Sequence, residues 1–226
     1  MSNLDKEEMM QAGLHLGHRT SKLHPKMEDF VVGIKNTVHV IDIEKTEEYF
    51  KRALEFIESL VKEKKVFMIV GTKPPLRNLI KTKAKEANLP YVVGRWLGGT
   101  FTNFEVLSKR VEYFKSLKEK KEKGEMDKYT KKERIKMNKE MADLETKFGG
   151  VEHLTKLPDA VFLCDLVKDK LALKEAKEMG VKIVGISDTN ADISSIDFPI
   201  PANDDAISSV SYILDKIIEV IKKHED

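Results

Sequence analysis

The residues most able to do chemistry in this sequence are aspartates that close short apolar runs. Asp42, Asp165 and Asp188 each end such a run, and Asn203-Asp204-Asp205 precedes a helical pattern. Open α/β sheets place their ligands at the C-terminal ends of strands, where these side chains would gather. Together with a histidine they could hold a divalent cation, magnesium or zinc, through His18, Asp188, Asp204 and Asp205. No cofactor is required by this pattern. Buried, hydrogen-bonded structural carboxylates would give the same sequence, and Asp204 or Asp205 could equally cap the last helix. His15 and His18 lie three apart between glycines in residues 12–20. An H-x-x-H without the glutamate of a zincin helix is a weak metal signal, and the glycines suggest a loop pressed close to something.

A second signal is Gly94-Arg95-Trp96-Leu97-Gly98-Gly99-Thr100-Phe101-Thr102-Asn103, which sets an arginine and the sole tryptophan beside paired glycines. Arginine suits phosphate and an indole suits a base face, while plain core packing of Trp96 fits as well. Basic residues crowd 73–85 and 115–139, although 40 basic and 38 acidic residues leave a net charge of only +2. A long solvated helix has the same charge pattern as an RNA-binding one.

Nucleotide enzymology is tested directly by motif. Val70-Gly71-Thr72-Lys73 stands where a P-loop would, but it lacks the second glycine, and Pro74-Pro75 removes two N–H groups from any phosphate cradle. Neither G-x-G-x-x-G nor G-x-S-x-G occurs. The single Cys164, in an apolar run, excludes a disulfide framework and reads as a buried thiol. No run of about 20 apolar residues is present to span a membrane. The N-terminal segment carries acids and no long apolar stretch, so a cytoplasmic protein is expected.

The elements that must position these groups follow from periodicity. Residues 38–43, 66–71, 91–93, 160–165 and 182–188 read as buried parallel strands. Helical spacing covers 46–63 with Thr46 as N-cap, 75–88, 168–179 ending at Gly180, and 205–222. Alternation of this kind predicts a three-layer α/β fold around a parallel sheet.

Residues 104–149 break the alternation. Phe104, Leu107, Val111, Phe114 and Leu117 step by three and four, as do Met137, Met141, Leu144 and Phe148. A polar turn at 123–128 separates them, and Thr130 with Glu133 forms a capping box. The pattern predicts an inserted antiparallel coiled-coil hairpin over 104–149, within a discontinuous α/β domain of 1–103 and 150–226. Two helices lying flat on the sheet are the alternative.

The blocks AGLHLGHRTSKLHPKM (12–27), VHVIDIEKT (38–46), VGTK (70–73), RWLGGTFTNF (95–104), GGVEHLTKLPDAVFLCD (149–165) and SDTNADISSIDFPIPANDDAISSV (187–210) resemble, in order, the bacterial small-subunit ribosomal protein S-two family. The resemblance implies a flavodoxin-like α/β fold with an inserted coiled-coil hairpin. It implies a non-enzymatic structural role in the cytoplasmic small ribosomal subunit, supporting translation. The partners implied are small-subunit ribosomal RNA, neighbouring ribosomal proteins and protein S-one, and no membrane. Two positions depart from the family pattern. His24 follows Leu23 where the family has Trp-Asn, and Ala202 replaces a glycine. The sequence also stops at Asp226 without the long acidic tail of many members, so docking of protein S-one is less expected than RNA binding.

On charge and motif position, Lys26, Lys73, Arg77, Arg95 and Trp96 are expected to contact RNA. The hairpin would add Lys118, Lys120, Lys121, Lys131, Lys132 and Arg134. Two rival readings remain open here: a nucleotide-dependent enzyme using Asp42, Asp165 and Asp188, and an RNA-binding scaffold outside the ribosome.

Overall fold

A computed structural model describes residues 4–224. A short helix, α1 (Lys6–Gln11), leads into strands β1 (Leu16–Arg19), β2 (Val31–Lys35) and β3 (Val38–Ile41). Helix α2 (Ile43–Lys62), strand β4 (Phe67–Val70), helix α3 (Arg77–Glu86) and strand β5 (Tyr91–Val92) follow. Then come the paired helices α4 (Phe104–Glu122) and α5 (Lys131–Phe148). The chain closes with β6 (Ala160–Leu163), α6 (Lys170–Glu178), β7 (Lys182–Ser187), β8 (Phe198–Pro201) and α7 (Ile207–Lys223).

Two sheets result. The larger is parallel and five-stranded, ordered β5-β4-β6-β7-β8, and the smaller is antiparallel, ordered β1-β3-β2. The smaller sheet corrects the sequence reading. Residues 38–43 are expected in the parallel sheet, yet β3 pairs antiparallel with β1, in a stretch expected as a loop, and with β2, in a stretch where no element is expected. Asn36 and Thr37, both at positive φ, supply the two-residue turn that joins β2 to β3. Strand β8 was also unforeseen. Its Phe-Pro-Ile-Pro sequence carries no N–H at alternate positions, which suits an edge strand.

Alternate residues of the parallel strands point to opposite faces. Phe67, Ile69, Phe162, Val184, Ile186 and Ile200 meet α2, α3 and α7 in one core. Met68, Val70, Val161, Leu163 and Ile183 meet α6 and the roots of α4 and α5 in another. The second core includes Leu107, Val111, Phe114 and Phe148, so both hairpin helices join the body's core, while most of their other positions are exposed. The predicted capping box is present, with Thr130 and Glu133 bonding reciprocally. At its root Gly150 presses on β5. A Cβ there would stand 2.2 Å from the Tyr91 carbonyl oxygen.

Helix N-termini differ from expectation. Asp42, not Thr46, caps α2, accepting from the Glu44 and Lys45 amides. Thr46 lies buried inside the helix and donates to the Pro201 carbonyl at 2.6 Å. Neither Asp204 nor Asp205 caps α7. Asn203 accepts from the Asp205 and Ala206 amides at 2.8 and 3.0 Å. Ala202 takes no positive φ, so the missing glycine costs no backbone strain.

Candidate functional site

The order of the parallel sheet sets a topological switch point between β4 and β6, where the chain leaves in opposite directions and a crevice opens. Lys73 follows β4 into that crevice and Asp165 follows β6. Asp188 follows β7, and Asp204 and Asp205 follow β8. Lys73 Nζ lies 2.7 Å from Asp165 Oδ2, 2.7 Å from Asp204 Oδ1 and 2.8 Å from Asp205 Oδ1. Burial opposes the charge on Lys73, but Asp204, Asp165 and Asp205 outweigh it and hold the pKa above the ordinary lysine value.

The small sheet delivers His18 to the same place. Its strand β1 comes close because Gly17 has no side chain; a Cβ would meet Thr189 Cγ2 at 2.5 Å. The glycine was read as a sign of close approach, and it serves one within a strand. His18 Nδ1 stands 3.1 Å from Asp188 Oδ2, and Nε2 stands 3.3 Å from Asp205 Oδ2. The bond to Asp188 raises the imidazole pKa, burial pulls it down, and the surrounding carboxylates add to the rise. One ligand atom from each of His18, Asp188 and Asp204 lies within 4.8 Å of the others. Asp204 Oδ2 is buried with no hydrogen-bond partner, while burial and its acidic neighbours Asp188 and Asp165 push the carboxyl up to about 7. A carboxylate in that condition fits a cation, and one imidazole with two carboxylates suits zinc better than the all-oxygen shell of magnesium.

Asp42 is absent from this cluster. It belongs to the small sheet's side of the chain and is committed to capping α2. The turn after β4 is also committed. Thr72 donates to Asp169 through Oγ1 at 2.6 Å and through its amide at 3.3 Å. A phosphate there would find the donors taken and several carboxylates facing it, so the crevice suits a cation and repels a nucleotide.

The residues expected on RNA divide into two groups. Arg77, Arg95, Lys120, Lys121, Lys131, Lys132 and Arg134 are exposed, and Lys26 is about half exposed beside Asp192 at 3.1 Å. Three others are spent within the protein. Lys73 is held by three aspartates. Lys118 lies 2.9 Å from Glu145 and 2.6 Å from Glu152, clamping the hairpin root. Trp96 is buried, edge-on to Phe101, and donates to Glu175 at 3.2 Å. Within the protein Lys73 and Lys118 are thus engaged in ion pairs and Trp96 in the core. Glu175 escaped the sequence reading altogether. The signal was an acid on the apolar stripe of α6, beside Ala172 and Ala176.

An α/β body whose crevice is filled by its own ion pairs, with a lysine-rich helical hairpin beside it, defines a binding scaffold. The chain belongs to the ribosomal protein S2 family, whose pattern matches residues 9–223. It is similar to small ribosomal subunit protein uS2 of a Nitratiruptor species, 38% identical over 95% of this chain and 80% of that one. It is 38% identical to the protein of the same name from Helicobacter hepaticus, over 95% of this chain and 81% of that one. The same identity extends over 100% of this chain and 92% of the relative from Dictyoglomus thermophilum.

Proposed function

We propose that this chain is a structural protein of the small ribosomal subunit and that it works by position, without catalysis. Its membership of the S2 family over residues 9–223 carries the reading. A flavodoxin-like body, residues 1–103 with 150–226, would supply one basic face through Lys26, Arg77 and Arg95. A coiled-coil hairpin, residues 104–149, would supply a second through Lys120, Lys121, Lys131, Lys132 and Arg134. The strand order β5-β4-β6-β7-β8 supports the flavodoxin-like description, because it reads 2-1-3-4-5 when the strands are numbered within that sheet. Side chains of this kind neutralise phosphates and respond to the shape of folded RNA. Two rigid, separated contact regions bind far better together than singly. Neighbouring subunit proteins complete the set of partners, and protein S-one is included from the family resemblance.

The test is sucrose-gradient sedimentation of cell lysate at moderate and then high salt. Comigration of the chain with small subunits through the salt wash is expected. A chain left at the top of the gradient at both salts would reject the reading, and absence of protein S-one from fractions that hold the chain would reject that partner alone.

A second reading, also ours, concerns the strand-end cluster. The partnerless Asp204 Oδ2 favours a structural divalent cation held by His18, Asp188 and Asp204, with Asp205 beside them. The cation would neutralise carboxylates that Lys73 alone leaves in excess. Purified protein should carry close to one equivalent of metal, zinc before magnesium. Substoichiometric metal, or no loss on changing His18 and Asp188 together, would reject the site.

A further inference from the structure

Glu175 is a buried carboxylate on α6, 4% exposed, and no cation pairs with it among the described residues. Its partners are four N–H donors from one irregular loop. Oε1 accepts from Trp96 Nε1 at 3.2 Å and from the Gly99 amide at 2.9 Å. Oε2 accepts from the Phe101 amide at 2.9 Å and the Thr102 amide at 3.4 Å. The loop is thus wrapped around a single side chain from another element. Its internal bonds are turns only, such as Thr100 to the Leu97 carbonyl and Asn103 to the Gly99 carbonyl. Gly99, at φ +88°, allows the bend that aims two amides at one carboxylate.

The Trp96 and Phe101 donors are buried, and without the carboxylate they would be left unpaired, while the part-buried Gly99 and Thr102 amides would turn to water. The loop's shape therefore depends on Glu175, and so does whatever its exposed residues present. The residue immediately before Trp96 is Arg95, exposed at the surface. An arginine recognises phosphate by a directional fork, so its usefulness falls when the backbone beneath it wanders.

We propose that Glu175 is a positioning residue for RNA binding, holding the 94–103 loop so that Arg95 meets a phosphate of the subunit RNA. The proposal rests on the RNA-contact reading of Arg95 given above.

The test measures association of the full-length chain with small subunits lacking it, at fixed salt, for the unchanged protein, Glu175→Gln, Arg95→Gln and the double variant. The Glu175→Gln change keeps the side-chain shape but turns an amide NH2 toward two of the donors. Each single change should weaken association about tenfold, the size of one lost charge-assisted contact. The double variant should be no weaker than Arg95→Gln. Emission of Trp96, the sole tryptophan, should shift to the red in Glu175→Gln while far-UV circular dichroism stays unchanged.

Unchanged association of Glu175→Gln would overturn the proposal. So would an equal further loss when Glu175→Gln is added to Arg95→Gln, since that would mark a general effect on stability. If Arg95→Gln itself binds normally, the RNA reading of Arg95 fails and the proposal falls with it, by a result separate from the other two. Should Glu175→Gln fail to fold, Trp96→Phe deletes one of the four donors and takes its place in the same cycle. There the expected loss is about threefold, carried through Arg95 in the same way, and full binding would again overturn the proposal.

Discussion

Lys73 Nζ and Asp165 Oδ2 lie 2.7 Å apart across the gap between β4 and β6. The two residues leave strands that adjoin in the sheet but are separated in sequence by the whole hairpin. Their ion pair closes the crevice in which open α/β sheets commonly hold a ligand. An internal ammonium occupies this place, and Asp204 and Asp205 complete its surroundings. The ribosomal role is consistent with that chemistry, because the crevice keeps its charges for the fold.

Replacing Lys73 by Met should therefore act on stability. It leaves Asp165 and Asp204 buried without their cation, and breaking such a pair by removing one partner costs about 3 kcal/mol. Urea unfolding should show the loss directly. A change below about 1 kcal/mol, the range of exposed pairs, would mean that the ammonium contributes little to holding the strand ends.

Gly150→Ala should loosen the root of the hairpin. The added Cβ would meet the Tyr91 carbonyl oxygen at 2.2 Å, and the Tyr91 amide bonds the Gly150 carbonyl at 2.8 Å. Overpacking against backbone has no flexible atom to yield, so a loss of about 2 kcal/mol is expected in thermal or urea unfolding. Wild-type stability would show that the contact relaxes at no cost.

The cluster around His18 gives stability a pH dependence of definite sign. Asp204 titrates near 7 in the fold and near 3.9 when unfolded. The folded state then binds more protons between these values, and stability falls as pH rises through that window. The raised pKa of His18 acts in the same direction. Its contribution is complete below the unfolded value of about 6.5 and is lost as pH rises through the folded value. Metal-free protein should thus melt at a lower temperature at about pH 8 than at about pH 5, and added zinc should reverse the decline at the higher pH. A flat profile in metal-free protein would contradict the linkage.

Removing hairpin charges should change subunit association and leave the fold alone. Lys120, Lys121, Lys131 and Lys132 are exposed and lie outside the hairpin seam. Each one that contacts a phosphate should lower the slope of log affinity against log salt by roughly 0.7–0.9 when changed to Gln. Melting temperature should stay within the scatter of surface substitutions. An unchanged slope for all four would move RNA contact away from the hairpin.

Local patterns carried the helical part of the fold. The Thr130–Glu133 capping box, the helices α4 and α5 themselves and the Gly180 stop were all readable, because each depends on neighbours within a few residues. Strand partners were less readable. The run at β3 has the composition of a buried strand, and nothing in it says whether its neighbours run parallel or antiparallel. The short β1 and β2 gave even less, since their exposed positions blur the alternation. His18, Asp188 and Asp204 were legible as a group because strand-end acids converge in any such sheet. Asp42 failed the same logic because its strand belongs to the other sheet.

By itself the sequence determined the family, the alternation of strands and helices, the inserted hairpin and the stock of acids and bases. Only the tertiary structure decided how each charge is used. Lys73 meets Asp204 over a separation of 131 residues, and Lys118 meets Glu152 over 34. Trp96 reaches Glu175 over 79, while Arg95 beside it is left at the surface. Periodicity reports which face of an element is buried, because that is a local property of the chain. Which ion meets which is set by strand order and helix packing, and those depend on the whole core closing at once.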